Sequence, residues 1–189
     1  MIAQSQSGGF ADASHQSARA FRALLEAMAR PGTLHRVTGA APPAPLSVAA
    51  GVALLVLCDG TTPLHLAGDL DTLDLRDWVA FHIGAPLVPA EDAAFALGRW
   101  QDLQPVSRFR IGQPDYPDRS ATLIVETDRL TTHGPALTGP GIETVAWLSL
   151  PETAAFRANG ALFPLGFDTI FTHGDQLAAL PRTTRVEAI

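Results

Sequence analysis

The sequence predicts an α/β fold: one layered domain built around a mixed β-sheet. Three observations carry this reading. The chain has 189 residues, enough for a single domain with a substantial core. Its composition, 47% hydrophobic and 17% charged, is that of a globular protein. Segments with helical apolar spacing are interspersed along the whole chain with short runs rich in β-formers. No internal repeat or low-complexity tract divides it. The domain is expected over residues 13–189, and residues 1–12, rich in Ser, Gln and Gly, read as a flexible terminus.

The first helix is the clearest element. In "SHQSARAFRALLEAMARPG" (residues 14–32), Ser14 can cap, and Phe21, Leu24, Leu25 and Met28 share one face. Pro31–Gly32 stops it. A short strand over 33–37 and the stiff connector "APPAP" follow. Residues 46–58 are apolar all round, so a helix there must be buried by its neighbours. "TTPLHLA" reads as a strand. "DLDTLDLRDWVAFHIG" reads as a helix with Leu75, Trp78, Val79 and His82 on one side and Gly84 as its stop. "AAFALG" is a short strand. Strands are expected over 120–127 and 144–150, a helix after Pro151, and strands over 169–172 and 177–180.

Composition excludes several chemistries. All thirteen basic residues are arginine, so no Schiff-base lysine, pyridoxal-phosphate anchor or P-loop lysine exists in this chain. The net charge of −6 argues against a nucleic-acid partner. Cys58 is the one cysteine, and its apolar setting describes an inert thiol; no internal disulfide or CxxC zinc site is possible. No signal peptide opens the sequence, and its most apolar run is too short to span a bilayer, so a cytoplasmic protein without membrane contact is expected.

Few motifs suggest chemistry on their own. Asp69, Asp71, Asp74 and Asp77 lack the spacing and glycine of a calcium loop and read as acids entering a helix. The six histidines form no metal-binding pattern, and no metal is expected. No GxSxG elbow surrounds a serine. "LTGPGIE" (137–143) makes a weak phosphate loop, since Pro140 removes a donor, and a good tight turn. "LPRTTRVE" (180–187) sets Arg182 and Arg185 around two threonines. That grouping suits a phosphate or phosphonate, and equally a solvated tail or a dimer contact.

"YPDRSATLIVE" (116–126) raises a sharper question, because it places Asp118, Arg119 and Ser120 at the mouth of a core strand. It is either a functional rim or a well-made turn. If strand alternation runs back through Ala121, Arg119 points with Ala121 and Leu123 toward an apolar face. There it pairs with an acid such as Asp115 or Glu143, or else it clamps a triphosphate or phosphonate oxygen or meets another subunit.

Five segments in order, "FRALLEAMARPG", "YPDRSATLIVE", "LTGPGIE", "FPLGFD" and "LPRTT", give the chain a resemblance to the H-subunit family of the bacterial carbon–phosphorus lyase system, PhnH. Phe167 stands where the resemblance leads one to expect a branched aliphatic residue, a change of packing alone. The resemblance implies a single three-layer α/β domain like a minimal pyridoxal-phosphate transferase fold without its cofactor site. It implies a homodimer that joins the G, I and J subunits in a core complex. With G, I and the L subunit, the H subunit is required to transfer the ribose 5-triphosphate of ATP to methylphosphonate, giving α-D-ribose 1-methylphosphonate 5-triphosphate and adenine. ATP is then a substrate of the complex, and no cofactor is expected on this chain. The resemblance carries over no catalytic residue. Asp118, Arg119, Ser120, Arg182 and Thr183 are the candidate ligand or partner contacts. A stand-alone enzyme on a phosphorylated small molecule, with Arg119 or Arg182 as its anion clamp, and a purely structural scaffold are the alternatives.

Overall fold

Parallel strands are covered on both faces, and the four in this molecule are buried over most of their length. A computed structural model describes residues 7–187. Its main sheet has the order β1-β10-β9-β6-β3-β2. Strands β2 (Leu64–Leu66), β3 (Phe95–Arg99), β6 (Thr122–Glu126) and β9 (Asp168–His173) are parallel. Strands β10 (Gln176–Leu180) and β1 (His35–Arg36) complete it antiparallel. In register, Leu97, Ile124 and Ile170 form one buried row, while Ala96 and Leu123 turn to the opposite face.

Helices α1 (Ala13–Ala29), α2 (Val48–Leu57) and α3 (Leu73–His82) cover the first face. The second face carries α4 (Ala154–Gly160) and a small antiparallel sheet, β11-β7-β8, of Ala136–Thr138 (β7), Ala146–Trp147 (β8) and Arg185–Val186 (β11). The result is the expected three-layer α/β domain. Helix α2 is capped by Ser47 and buried from Ala49 through Leu54, as its all-round apolarity requires. Thr72 caps α3, which buries Leu75, Trp78 and Val79. His82 is a half-buried ring against Trp78 and Phe81, with Nε2 3.1 Å from the carbonyl oxygen of Ser7.

Several local expectations change. Asp12, not Ser14, caps α1, accepting from the backbone N–H of His15 at 3.3 Å. The buried stripe of α1 is Ala20, Leu24 and Ala27, whose small members let it lie close against the sheet and α2, while Phe21 and Leu25 face outward. Residues 1–6 of the expected flexible terminus lie outside the described residues; Gly8 accepts from the N–H of Ala41 at 2.8 Å, and Phe10 packs against the core. The strand expected over 144–150 shrinks to Ala146–Trp147. The "YPDRS" segment is itself a strand, β5 (Tyr116–Ser120), paired with β4 (Ile111–Gln113) in a hairpin. The chain end that read as a tail pairs with β7 through β11.

At the carboxyl edge of the sheet, Arg99 and Glu126 end β3 and β6 in register with Thr172, the last residue but one of β9. Glu126 is 8% exposed, and its Oε2 accepts from the hydroxyls of Ser47 at 2.7 Å and Thr172 at 2.9 Å. Burial pushes its carboxyl above the usual carboxylate range, outweighing these donors and Arg99. The folded protein therefore retains a proton that the unfolded chain releases near pH 4.3, the ordinary value. Glu126's contribution is complete below that pH and declines as pH rises through its elevated value. Urea unfolding across this range should show a downward slope with pH that Glu126→Gln flattens; identical slopes in the two proteins would contradict the assignment.

Candidate functional site

A short hairpin dictates the centre of the site. Strands β9 and β10 are joined through Gly174–Asp175, and the pairing of His173 with Gln176 propagates to Thr169 with Leu180. That register delivers Asp168 and Arg182 to the same place, at the amino edge of the parallel strands. Arg182 donates to Asp168 Oδ1 from its backbone N–H (2.9 Å) and from Nε (3.1 Å), and Nη2 donates to Oδ2. Nη2 also donates to the hydroxyl of Ser120, and Nη1 to the carbonyl oxygen of Pro117 at 2.9 Å. The two charged side chains are only 12% and 19% exposed. One guanidinium thus binds the chain end to the first residue of β9 and to both ends of the "PDRS" stretch of β5.

Of the predicted site residues, the structure brings Asp118, Ser120, Arg182 and Thr183 together. Ser120 is half-buried against Arg182, whereas Asp118 and Thr183 line an open groove. Arg119 stands apart. Its guanidinium carbon lies 4.0 Å from the centroid of the Tyr116 ring, both side chains are exposed, and neither Asp115 nor Glu143 pairs with it. The expected core-facing direction fails because the strand does not run through Ala121. That residue's N–H donates to Arg110, and β5 takes its register from β4 rather than from β6.

The groove, of about 500 Å³, gathers all five segments that carry the resemblance. Its walls are Met28 and Ala29 at the end of α1, Pro117 and Asp118, Pro140 and Gly141, Phe163 and Pro164, and residues 181–183. A neighbouring pocket of about 400 Å³ shares Pro140, Phe163, Arg182 and Thr183 with it and continues to Arg185. Gly141 is required where the turn meets α1: its φ is +81°, and a Cβ there would stand 1.9 Å from the carbonyl oxygen of Ala29. The turn is closed by Ile142 donating to Gly139 at 3.1 Å, which consumes a donor that a phosphate loop would present. Behind the groove, buried Asn159 holds the "FPLGFD" loop. Its Nδ2 donates to the Phe167 carbonyl (2.8 Å), and its Oδ1 accepts from the Phe167 N–H (2.9 Å). Phe167 itself is buried edge-on to Phe156.

Chemically this surface is proline-lined and largely apolar, and the cation at its base is already committed to internal acceptors. It suits a rigid apolar contact better than anion capture or proton transfer. Asp168, the residue that makes it so, was absent from the predicted set. The signal existed, because continuing the pairing of Thr169 with Leu180 by one residue sets Asp168 opposite Pro181, next to Arg182. Elsewhere, Asp69 and Asp71 are engaged by Arg99 and Arg76. Cys58 is buried, and burial together with the neighbouring Asp59 charge pushes its thiol up to about 12, so it is inert at neutral pH.

Two substitutions separate the arginines. Arg182→Ala leaves Asp168 without its partner and should cost about 3 kcal/mol, the lower end for a broken buried pair because some solvent reaches it. Arg119→Ala loses an exposed cation–π contact and should cost at most about 1 kcal/mol. Equilibrium unfolding of both variants checks the order; equal losses would contradict it.

The groove's segments also relate the chain to known proteins. The profile of the family described as bacterial phosphonate metabolism protein (PhnH) matches residues 8–187. The chain is 40% identical to the alpha-D-ribose 1-methylphosphonate 5-triphosphate synthase subunit PhnH of Rhizobium meliloti (strain 1021), over 99% of each chain. It is 33% identical to the putative C-P lyase subunit protein HtxG of Stutzerimonas stutzeri, over 88% of this chain and 84% of that one. Matched from Gly8 to Glu187 and aligned over 99% of its length with the Rhizobium meliloti relative, the chain belongs to the bacterial phosphonate metabolism protein (PhnH) family.

Proposed function

We propose that this chain is a subunit of a carbon–phosphorus lyase core complex, acting with the G, I and L subunits. The reaction is transfer of the ribose 5-triphosphate of ATP to methylphosphonate, giving α-D-ribose 1-methylphosphonate 5-triphosphate and adenine. In this reading the chain forms a homodimer, works in the cytoplasm, and meets the G, I and J subunits. It binds no pyridoxal phosphate, since a chain without lysine cannot form the internal aldimine. The observation that carries the reading is the groove. Five dispersed segments build one proline-lined face, and its central arginine is spent on holding that face in shape. Rigid apolar surfaces with few free charges are what stable subunit contacts use. A stand-alone enzyme with Arg182 or Arg119 as its anion clamp is disfavoured, because the first is committed to internal acceptors and the second stacks on Tyr116. No membrane role is proposed: among the described residues, no helix is long and apolar enough to cross a bilayer.

Phe163 offers the test, because it is 59% exposed and lines both parts of the groove. Phe163→Glu should unfold within about 0.5 kcal/mol of the parent, as surface substitutions do. It should nevertheless fail to co-purify with co-expressed G, I and J subunits and fail to restore growth on methylphosphonate in a host lacking its own H subunit. A variant that co-purifies and restores growth as well as the parent would overturn the groove as the contact face.

A further inference from the structure

The opposite, carboxyl edge of the sheet holds a second site of different character. A pocket of about 210 Å³ opens beyond the ends of β3 and β6, closed on one side by residues 149–151. Glu126 lines it although the residue is 8% exposed; Oε2 takes both hydroxyl donors, from Ser47 and Thr172, and Oε1 takes neither. Arg99 also lines it, 26% exposed and held by Asp69 at 3.0 Å and Asp128 at 2.9 Å. Those bonds use Nε and one N–H of Nη1, so three of the guanidinium's five N–H groups have no acceptor among the described residues. Arg129 stands exposed at the rim and pairs with no acid among the described residues. Trp100, stacked on Phe156 with ring centroids 4.7 Å apart, supplies an aromatic edge.

Open sheets with parallel strands bind small ligands beyond their carboxyl ends. The polar lining selects the kind. A bare anion gains from Arg129 but faces Glu126 and Asp128, and a bare cation faces two guanidinium groups. A polyol satisfies both signs, since each hydroxyl can donate to a carboxylate and accept from a guanidinium. A phosphate attached to it can remain at the rim, where Arg129 can take it bidentately. The enclosed volume suits a monosaccharide rather than a whole nucleotide. We propose that this pocket binds a phosphorylated pentose, its hydroxyls on Glu126, Asp128 and Arg99 and its phosphate on Arg129. The choice of a pentose over another sugar rests on the function proposed above, while the sugar-phosphate class rests on the lining itself.

Equilibrium dialysis of the full-length protein against radiolabelled ribose 5-phosphate tests this. Saturable binding of one equivalent per chain is expected. Arg129→Ala, an exposed change that leaves the fold intact, should weaken it about tenfold, the loss of one charge-assisted contact. Glu126→Gln should weaken it as well, with thermal unfolding confirming that the variant is folded. Unlabelled ribose should compete weakly, and inorganic phosphate alone should not compete at equal concentration. Absence of ribose 5-phosphate binding, undiminished binding by Arg129→Ala, or competition by inorganic phosphate as strong as by the sugar phosphate would each overturn the proposal. The two readings fail separately. A protein that co-purifies with its partner subunits but binds no sugar phosphate loses only the pocket, and one that binds but does not co-purify loses only the contact face.

Discussion

Arg182 and Asp168 meet because a hairpin register puts them side by side, and much of the amino edge of the sheet is arranged around that meeting. A partly buried guanidinium needs acceptors for its N–H groups, and here it finds them in three different stretches of chain. The strand β5, the start of β9 and the segment leading to β11 are therefore fixed relative to one another. Pro117, Pro164 and Pro181 then extend the same rigidity outward, because each has its φ preset. A surface built this way loses little conformational freedom when a partner covers it. Chain order alone gives no hint of this, since Pro117 and Arg182 are 65 residues apart.

The two edges of the central sheet differ in character. Its amino edge presents a largely apolar groove whose arginine is neutralised by Asp168, and its carboxyl edge presents a small polar pocket floored by a buried carboxyl. Between them lie the five-residue strands β3 and β6, whose two faces are filled by separate apolar clusters, so both edges rest on the same two clusters. The proposed contact face and the proposed sugar-phosphate pocket therefore lie on opposite edges, where occupancy of one does not exclude the other.

Periodicity made the elements legible. The buried helix α2, the amphipathic helix α3 and strands β2, β3, β9 and β10 all lie where apolar spacing and punctuation place them. What failed was local. Phe21 and Leu25 share a helical face with Leu24, but the neighbouring elements accept the small stripe of Ala20 and Ala27 instead, so spacing alone picked the wrong neighbours for Leu24. Arg119 was misdirected because strand alternation holds only within one strand, and the chain changes partners at Ala121. The site was half legible. Arg182, Ser120, Asp118 and Thr183 stood out as polar residues in otherwise apolar or turn-forming stretches. Asp168 did not, because its importance lies in a pairing, and pairings become visible only when hairpin register is counted. Glu126 was hidden more deeply: as the last letter of an apolar run it looks like a solvated strand end, and only the fold brings Ser47 and Thr172 to bury it.

Arg182 is a structural tie whose energy is shared with Asp168 rather than a clamp awaiting an anion. A double-mutant cycle of Arg182→Ala and Asp168→Ala, read by denaturant unfolding, tests it most directly. A tie predicts strong coupling, with each single variant destabilised and the double variant little worse than either, giving an interaction of about 2 kcal/mol or more. Losses that simply add, with coupling near zero, would contradict the account, and so would an Arg182→Ala protein as stable as the parent.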